Sequence, residues 1–144
     1  MIDLSVYAEV ETLPREQSER IGVMLGFGRL GDVELALRIH EGLSLGVARK
    51  VADALGAEIL PEAELERAVK EGGLLSSYES SRVYQVCCVL DAAALHCRGD
   101  AQMMSRYLRV PNHDLDNRSL LELALVSSAG ARAAVTRIES SVSI

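Results

Sequence analysis

The chain has 144 residues, of which 49% are hydrophobic and 25% charged, and its formal net charge is −6 at pH 7. This length suits one domain that buries a core without disulfides or metal, and the apolar content excludes a disordered chain. No segment approaches the roughly 18 uninterrupted apolar residues of a membrane span, and the N-terminus lacks the basic cluster of a secretory signal. We therefore expect a soluble, cytoplasmic protein with no membrane partner.

The charge is unevenly distributed along the chain. Residues 1–72 carry 8 basic against 14 acidic side chains, whereas residues 73–144 carry 7 of each. Nucleic-acid binding depends first on neutralising phosphates, so an acidic half beside a neutral half disfavours strong binding to nucleic acid.

The first ten residues alternate between apolar and polar side chains, and this period of two predicts a short strand or an extended arm over residues 2–10. Beyond Pro14 the apolar spacing becomes helical, and caps and glycines separate about eight helices. The predicted inner faces are Ile21, Met24 and Leu25; Val33, Ala36, Leu37 and His40; Leu45, Ala48, Val51, Ala52 and Leu55; Leu65, Ala68 and Val69; Val83, Val86, Cys87, Leu90, Ala94 and Cys97; Met104, Tyr107 and Leu108; and Ala131, Val135, Ile138 and Val142.

Two capping boxes mark the starts of predicted helices, one from Ser76 to Glu79 and one from Ser119 to Glu122. With one short strand at most, the sequence predicts an all-α fold, built as a compact multi-helix domain.

The cysteines and histidines do not form a recognisable metal site. Cys87, Cys88 and Cys97 include no CxxC pair, and ten helical residues place Cys87 about 15 Å from Cys97. We interpret them as reduced thiols packed as small apolar groups.

His40 is expected in the core and His113 in a solvated loop. Because no catalytic motif is present, we do not expect an enzyme.

Residues 26–31 spell G-x-G-x-x-G, the pattern of a dinucleotide-binding loop. Such a loop needs a strand before it, a helix after it, and a second parallel strand with an acidic residue about 20 positions on. The segment Gly46–Leu55 at that distance reads as a helix. We therefore interpret the glycines as turns between helices, and a small NAD(P)-binding enzyme using Gly26–Gly31 stays as a second alternative.

A series of short motifs covers residues 28–144. Residues 70–82 match K-x-G-x-L-x-S-x-x-E-S-x-R, residues 107–112 are similar to W-L-x-x-P-N, and residues 117–123 to G-x-(S/T)-P-L-E-L. Gly130-Ala131 and Ile138-Glu139 follow as G-A and I-E, and upstream Ala54-Leu55-Gly56 matches a helix that ends in A-L-G. In order and spacing these motifs resemble the Xre/MbcA/ParS-like antitoxin family.

The chain also departs from that family's pattern. Leu120 stands where the family has proline, and Ser141 and Ser143 replace a closing glycine and an aromatic residue. Residues 57–69 are shorter than the family's helix-turn-helix and carry four glutamates against Arg67 alone. We therefore interpret this helix-turn-helix as degenerate and expect at best weak operator binding, through Arg67, Lys70 and Arg82.

The resemblance implies an antitoxin of a type II toxin–antitoxin system, which binds and neutralises a toxin of the RES/ParT type that consumes NAD or transfers ADP-ribose. It implies no cofactor, an HTH-like N-terminal region over residues 1–73 that dimerises, and a toxin-binding C-terminal region over residues 74–144. A homodimer within a larger toxin–antitoxin complex is expected. The toxin-binding residues assigned on this basis are Asn112, Arg118, Arg137, Ile138, Glu139, Ser140, Ser141, Val142, Ser143 and Ile144.

Two interpretations of the C-terminal residues stay open. In one, the tail enters the toxin's active-site entrance, where Ile138, Val142 and Ile144 fill a groove and Glu139 meets basic groups. In the other, Ile138 and Val142 only pack the last helix onto its own domain. The alternative function is a DNA-binding transcriptional regulator that represses its own operon.

Overall fold

The computed structural model describes residues 1–142, and helices are the regular secondary structure of this part of the chain. It contains eight α-helices and no strand, so the predicted all-α class is confirmed. Three short 3-10 turns accompany the helices, at residues 5–8, 10–12 and 113–115. The helices are α1 (Gln17–Met24), α2 (Asp32–Glu41), α3 (Leu45–Leu55), α4 (Glu62–Lys70), α5 (Ser77–Cys97), α6 (Ala101–Arg109), α7 (Leu120–Val126) and α8 (Ser128–Val142).

The chain divides into two compact units, and the division falls inside α5. Unit 1 consists of residues 1–3 and 15–84, and unit 2 of residues 4–14 and the chain from Gln85 onward. The two functional regions predicted from the sequence, residues 1–73 and 74–144, instead meet after Gly73, in the turn before α5.

Unit 1 is held together around the turn between α2 and α3. The Leu75 amide donates to the Leu43 carbonyl at 2.9 Å, and the Leu45 amide donates to the Gly73 carbonyl at 2.8 Å. The buried Ser80 hydroxyl of α5 accepts from the Leu43 amide at 2.8 Å. These bonds fix the start of α5 against the start of α3. The core of unit 1 includes Ile21, Met24, Leu35, Val51, Leu55, Leu60, Ala68 and Val83.

The strand or extended arm predicted over residues 2–10 is wrong. Residues 5–8 form a 3-10 turn. The segment lies against α5, where Tyr7 is buried and its hydroxyl donates to the Asp91 carboxylate at 2.7 Å. Gly99 follows α5 and leaves room for this arm, because a Cβ there would lie 2.8 Å from the Leu4 carbonyl oxygen. The alternating pattern did not predict the structure, because this segment packs against helix α5, and the described residues contain no second strand with which it could pair.

The face predicted for α2 is also wrong. Leu35 is buried and Ile39 half-buried, whereas Val33, Leu37 and His40 are exposed. The helix packs through Leu35 and Ile39, which lie four residues apart on one face. His40 is therefore a surface residue of unit 1, not a core residue.

Unit 2 is a set of helices packed around the second half of α5. Gln85–Cys97 supplies the most deeply buried stretch, and the predicted face of Val86, Cys87, Leu90 and Ala94 is confirmed. From α6 and α8, Met104, Leu108, Ala134 and Ile138 complete this core.

Candidate partner-binding surface

The turn between α6 and α7 is closed by the Asn112 backbone. The Asn112 amide donates to the Arg118 carbonyl at 3.0 Å, and the Asn112 side-chain amide donates to the Val110 carbonyl at 3.1 Å. Asp116 and Asn117 adopt positive φ values of 55° and 65°, which short polar side chains tolerate better than most. Asn112 therefore shapes the turn, and Arg118 lies at its exposed end.

α7 begins with the capping box that the sequence predicted. The Ser119 hydroxyl accepts from the Glu122 amide at 3.0 Å, and the Glu122 carboxylate accepts from the Ser119 amide at 3.3 Å. The buried Ser119 and Leu120 then direct the helix into the core of unit 2.

α8 packs very closely against α7 at Gly130. A Cβ on this residue would lie 2.2 Å from the Leu123 carbonyl oxygen and 2.7 Å from a Val126 methyl carbon. Only glycine fits this approach of the two backbones, and it gives a physical reason for the G-A motif.

The C-terminal turns of α8 separate into buried and exposed positions. Ile138 is fully buried at 0% exposure, so its side chain packs in the core of unit 2 and cannot fill a partner's groove in this conformation. This corrects the groove-filling role assigned to it. Glu139, Ser140 and Ser141 lie at the surface. Of the other assigned tail residues, Val142 ends α8, whereas Ser143 and Ile144 lie outside the described residues.

The surface end of α8 contacts α6 through polar and aromatic groups. The hydroxyls of Tyr107 and Ser141 form a hydrogen bond of 3.2 Å. The Tyr107 ring stacks on His96, with ring centroids 4.5 Å apart and planes inclined by 21°. On the same helix as Ser141, Arg137 forms an ion pair of 3.5 Å with Asp114 in the turn before α7. The assigned residues Asn112, Arg118, Arg137 and Ser141 thus belong to connected elements of unit 2.

Of the three residues assigned to weak DNA contact, one forms ion pairs within unit 1. The Arg67 guanidinium forms ion pairs with Glu71, at 2.7 Å, and with the buried Glu79 carboxylate. Its charge is therefore engaged inside unit 1. Lys70 is exposed at the end of α4, and Arg82 is half-buried on α5.

The Glu79 carboxylate of unit 1 is held by several donors. Its other oxygen accepts from the Ser76 amide at 2.8 Å, and the Ser76 hydroxyl accepts from the Glu79 amide at 3.1 Å. The Arg67 guanidinium, followed by the Ser76 donors, lowers the pKa of Glu79 from 4.5 to about 2. The S-x-x-E piece of the motif is therefore a helix cap with an ion pair.

The segment Gly26–Gly31 joins two helices, α1 and α2. Gly26 and Gly28 adopt positive φ values of 87° and 80°, and the Gly28 carbonyl would lie 2.3 Å from a Cβ on Gly22. The glycines are interhelical turns as expected, and the flanking elements lack the strand that a dinucleotide-binding loop requires.

The cysteines occupy packing positions. Cys87 and Cys97 are buried and Cys88 is half-buried, and all three are free thiols. Desolvation raises the pKa of Cys87 far above its ordinary range, as it does to a lesser degree for Cys97. Within residues 1–142, no group of three or more His, Cys, Asp or Glu side chains is placed to hold a metal ion.

Three contacts were not predicted from the sequence. His96 and Ser141 were not connected with Tyr107, because pairs that lie 11 and 34 positions apart carry no shared spacing signal. The Arg67–Glu79 pair was missed although both residues were singled out, since a loop separates their helices.

Comparison with protein-family models finds no matching family, and comparison with curated proteins finds no match. None of the described helices is both long enough and apolar enough to cross a membrane.

Proposed function

We propose that the protein is an antitoxin that neutralises a RES/ParT-type toxin by direct binding, through the exposed end of α8 and the adjoining turn of unit 2. The observation that carries this proposal is the surface position of Glu139, Ser140 and Ser141 directly after the buried Ile138. A helix anchored in the core by Ile138 thus presents Glu139, Ser140 and Ser141 at the surface, and the resemblance in residues 107–139 implies toxin contact by the same elements.

The physical basis of neutralisation is steric and electrostatic. The end of α8 loses little conformational entropy on docking, because it is already folded and the Ser141 hydroxyl is hydrogen-bonded to the Tyr107 hydroxyl. Glu139 and the exposed Arg118 supply charges for orientation at the rim of the contact. The protein itself contributes no reacting group to this function.

The geometry gives less support to operator binding. α4 carries Glu62, Glu64 and Glu66, and Arg67 on the same helix is paired internally. A helix placed in the major groove lies close to phosphates, which repel carboxylates. Autoregulation therefore remains the weaker alternative, and we propose that the homodimer of the functional complex does not depend on DNA.

Removal of Ser140–Ile144 tests the role of the tail. We expect the truncated chain to stay folded, because Ile138 remains in the core. The side-chain hydrogen bonds lost with Ser140 and Ser141, to the Tyr107 hydroxyl and to the Thr136 and Ile138 carbonyls, cost about 1 kcal/mol each. Co-expression with the toxin encoded by the neighbouring gene should show loss of protection, scored as growth and cellular NAD.

Glu34→Ala, an exposed change on α2 of unit 1, is the matched control and should protect fully. Circular dichroism checks folding of both variants. A folded truncated chain that protects as well as the full chain would contradict docking through the tail.

A further inference from the structure

The outer surface of α4 carries an acidic and apolar stripe. Glu62, Glu66 and Val69 are exposed on one side of the helix, and we refer to these three residues as the α4 face. Val69 is 57% exposed. Neither glutamate carboxylate has a hydrogen bond or ion pair with another residue in the part of the chain that the structure describes.

The outer surface of α6 carries the opposite charge with similar apolar neighbours. Met103 and Val110 are 51% and 53% exposed, and Arg106 is exposed between them. We refer to Met103, Arg106 and Val110 as the α6 face. The Arg106 guanidinium has no partner among residues 1–142, and α6 contains no acidic residue. Arg109 beside Val110 adds a second positive charge, held toward Ser105 by a 2.7 Å hydrogen bond.

The two faces match in register when the helices run antiparallel. Glu66 and Glu62 lie three and seven residues before Val69 on α4. At the helical rise of about 1.5 Å per residue, these separations are about 4.5 and about 10.5 Å along the axis. Counted from Met103, Arg106 lies three residues forward along α6, and Val110 directly follows Arg109, the last residue of that helix. Val69 then meets Met103, and Glu66 meets Arg106.

The far end of this alignment is also complementary. Glu62, the first residue of α4, comes level with the end of α6 at Arg109. The acidic N-terminus of α4 thereby lies beside the basic C-terminus of α6, an arrangement that the two helix dipoles favour.

We infer that the α4 face binds the α6 face of a second copy of this chain. Each copy offers both halves of the match, because Glu66 and Arg106 carry opposite charges and neither is paired among the described residues of one copy. The net charge of −6 makes copies repel unless a specific contact brings opposite charges together. The contact uses no residue of the tail, so its test and the truncation test can fail separately.

Charge reversal with reciprocal rescue tests the contact. Sedimentation velocity over a micromolar concentration series should show self-association of the wild-type chain that weakens between about 50 mM and about 500 mM NaCl. Arg106→Glu and Glu66→Arg should each raise the dissociation constant about tenfold or more. The double variant, and an equimolar mixture of the two single variants, should recover association, because each restores an opposite-charge pair.

Arg132→Glu on α8 and Glu34→Arg on α2 are matched controls with the same charge changes at exposed positions outside both faces. They should associate as the wild type does, and circular dichroism should show all variants folded. A wild-type chain that stays monomeric at low salt overturns the inference. So does association that Arg106→Glu leaves unchanged, or a double variant that fails to recover it.

Discussion

Glu79 is a buried carboxylate whose charge is held by two donors, the Ser76 amide and the Arg67 guanidinium. Because its pKa falls from 4.5 in ordinary surroundings to about 2 in the fold, the ionised form stabilises the folded state. That stabilisation, about 3 kcal/mol, is fully present above the unfolded pKa and is lost as the pH falls through the folded pKa. The same residue caps α5, so its charge and the position of that helix are coupled.

Arg67→Ala should raise the pKa of Glu79 toward its ordinary value and lower the free energy of unfolding at pH 7 by about 1–3 kcal/mol. The loss of stability with acid should then begin at a higher pH than in the wild-type chain. Urea denaturation at a series of pH values between neutrality and pH of about 2 measures both effects.

Arg132→Ala removes an exposed arginine of α8 and should leave the pH dependence unchanged. If Arg67→Ala and Arg132→Ala gave the same acid transition, the ion pair would not be the cause of the low pKa.

At the scale of elements, the contact of α7 with α8 depends on one residue without a side chain. Gly130→Ala should destabilise the protein by about 1–3 kcal/mol, because the new Cβ would lie 2.2 Å from the Leu123 carbonyl oxygen and the helices must move apart. The preference of helices for alanine, about 1 kcal/mol, offsets only part of this cost. Thermal unfolding followed by circular dichroism measures the change.

Gly46→Ala is the matched control in α3. A Cβ there meets only the Ser44 hydroxyl oxygen at 3.8 Å, so this change should be neutral or stabilising by up to about 1 kcal/mol. Equal stability of the two variants would show that α8 can shift away from α7 at no cost.

At the scale of the whole molecule, the sequence predicted the helical class, both capping boxes and the core of α5. These features are local: Ser119 and Glu122 are three residues apart, and Val86, Leu90 and Ala94 repeat at helical spacing. Where helices and arms meet, local spacing carried no information. The sequence therefore misplaced the inner face of α2 and predicted a strand where Tyr7 instead reaches Asp91.

The candidate surface could be predicted only in part. The motifs singled out the turn at Asn112 and the end of α8. They could not show that Ile138 is a core residue while Glu139 and Ser141 are exposed, because that depends on how α8 rotates against α5 and α7. The contact of Tyr107 with His96 and Ser141 likewise depends on the tertiary fold alone.

The most direct test of the proposed antitoxin action uses a purified candidate toxin and follows its rate of NAD consumption as increasing amounts of this protein are added. If the protein neutralises by binding, the rate should fall linearly and reach its minimum at a fixed ratio of the two proteins, and Glu34→Ala should act like the wild-type chain. Full toxin activity in the presence of a large excess of the folded protein would contradict the proposed function.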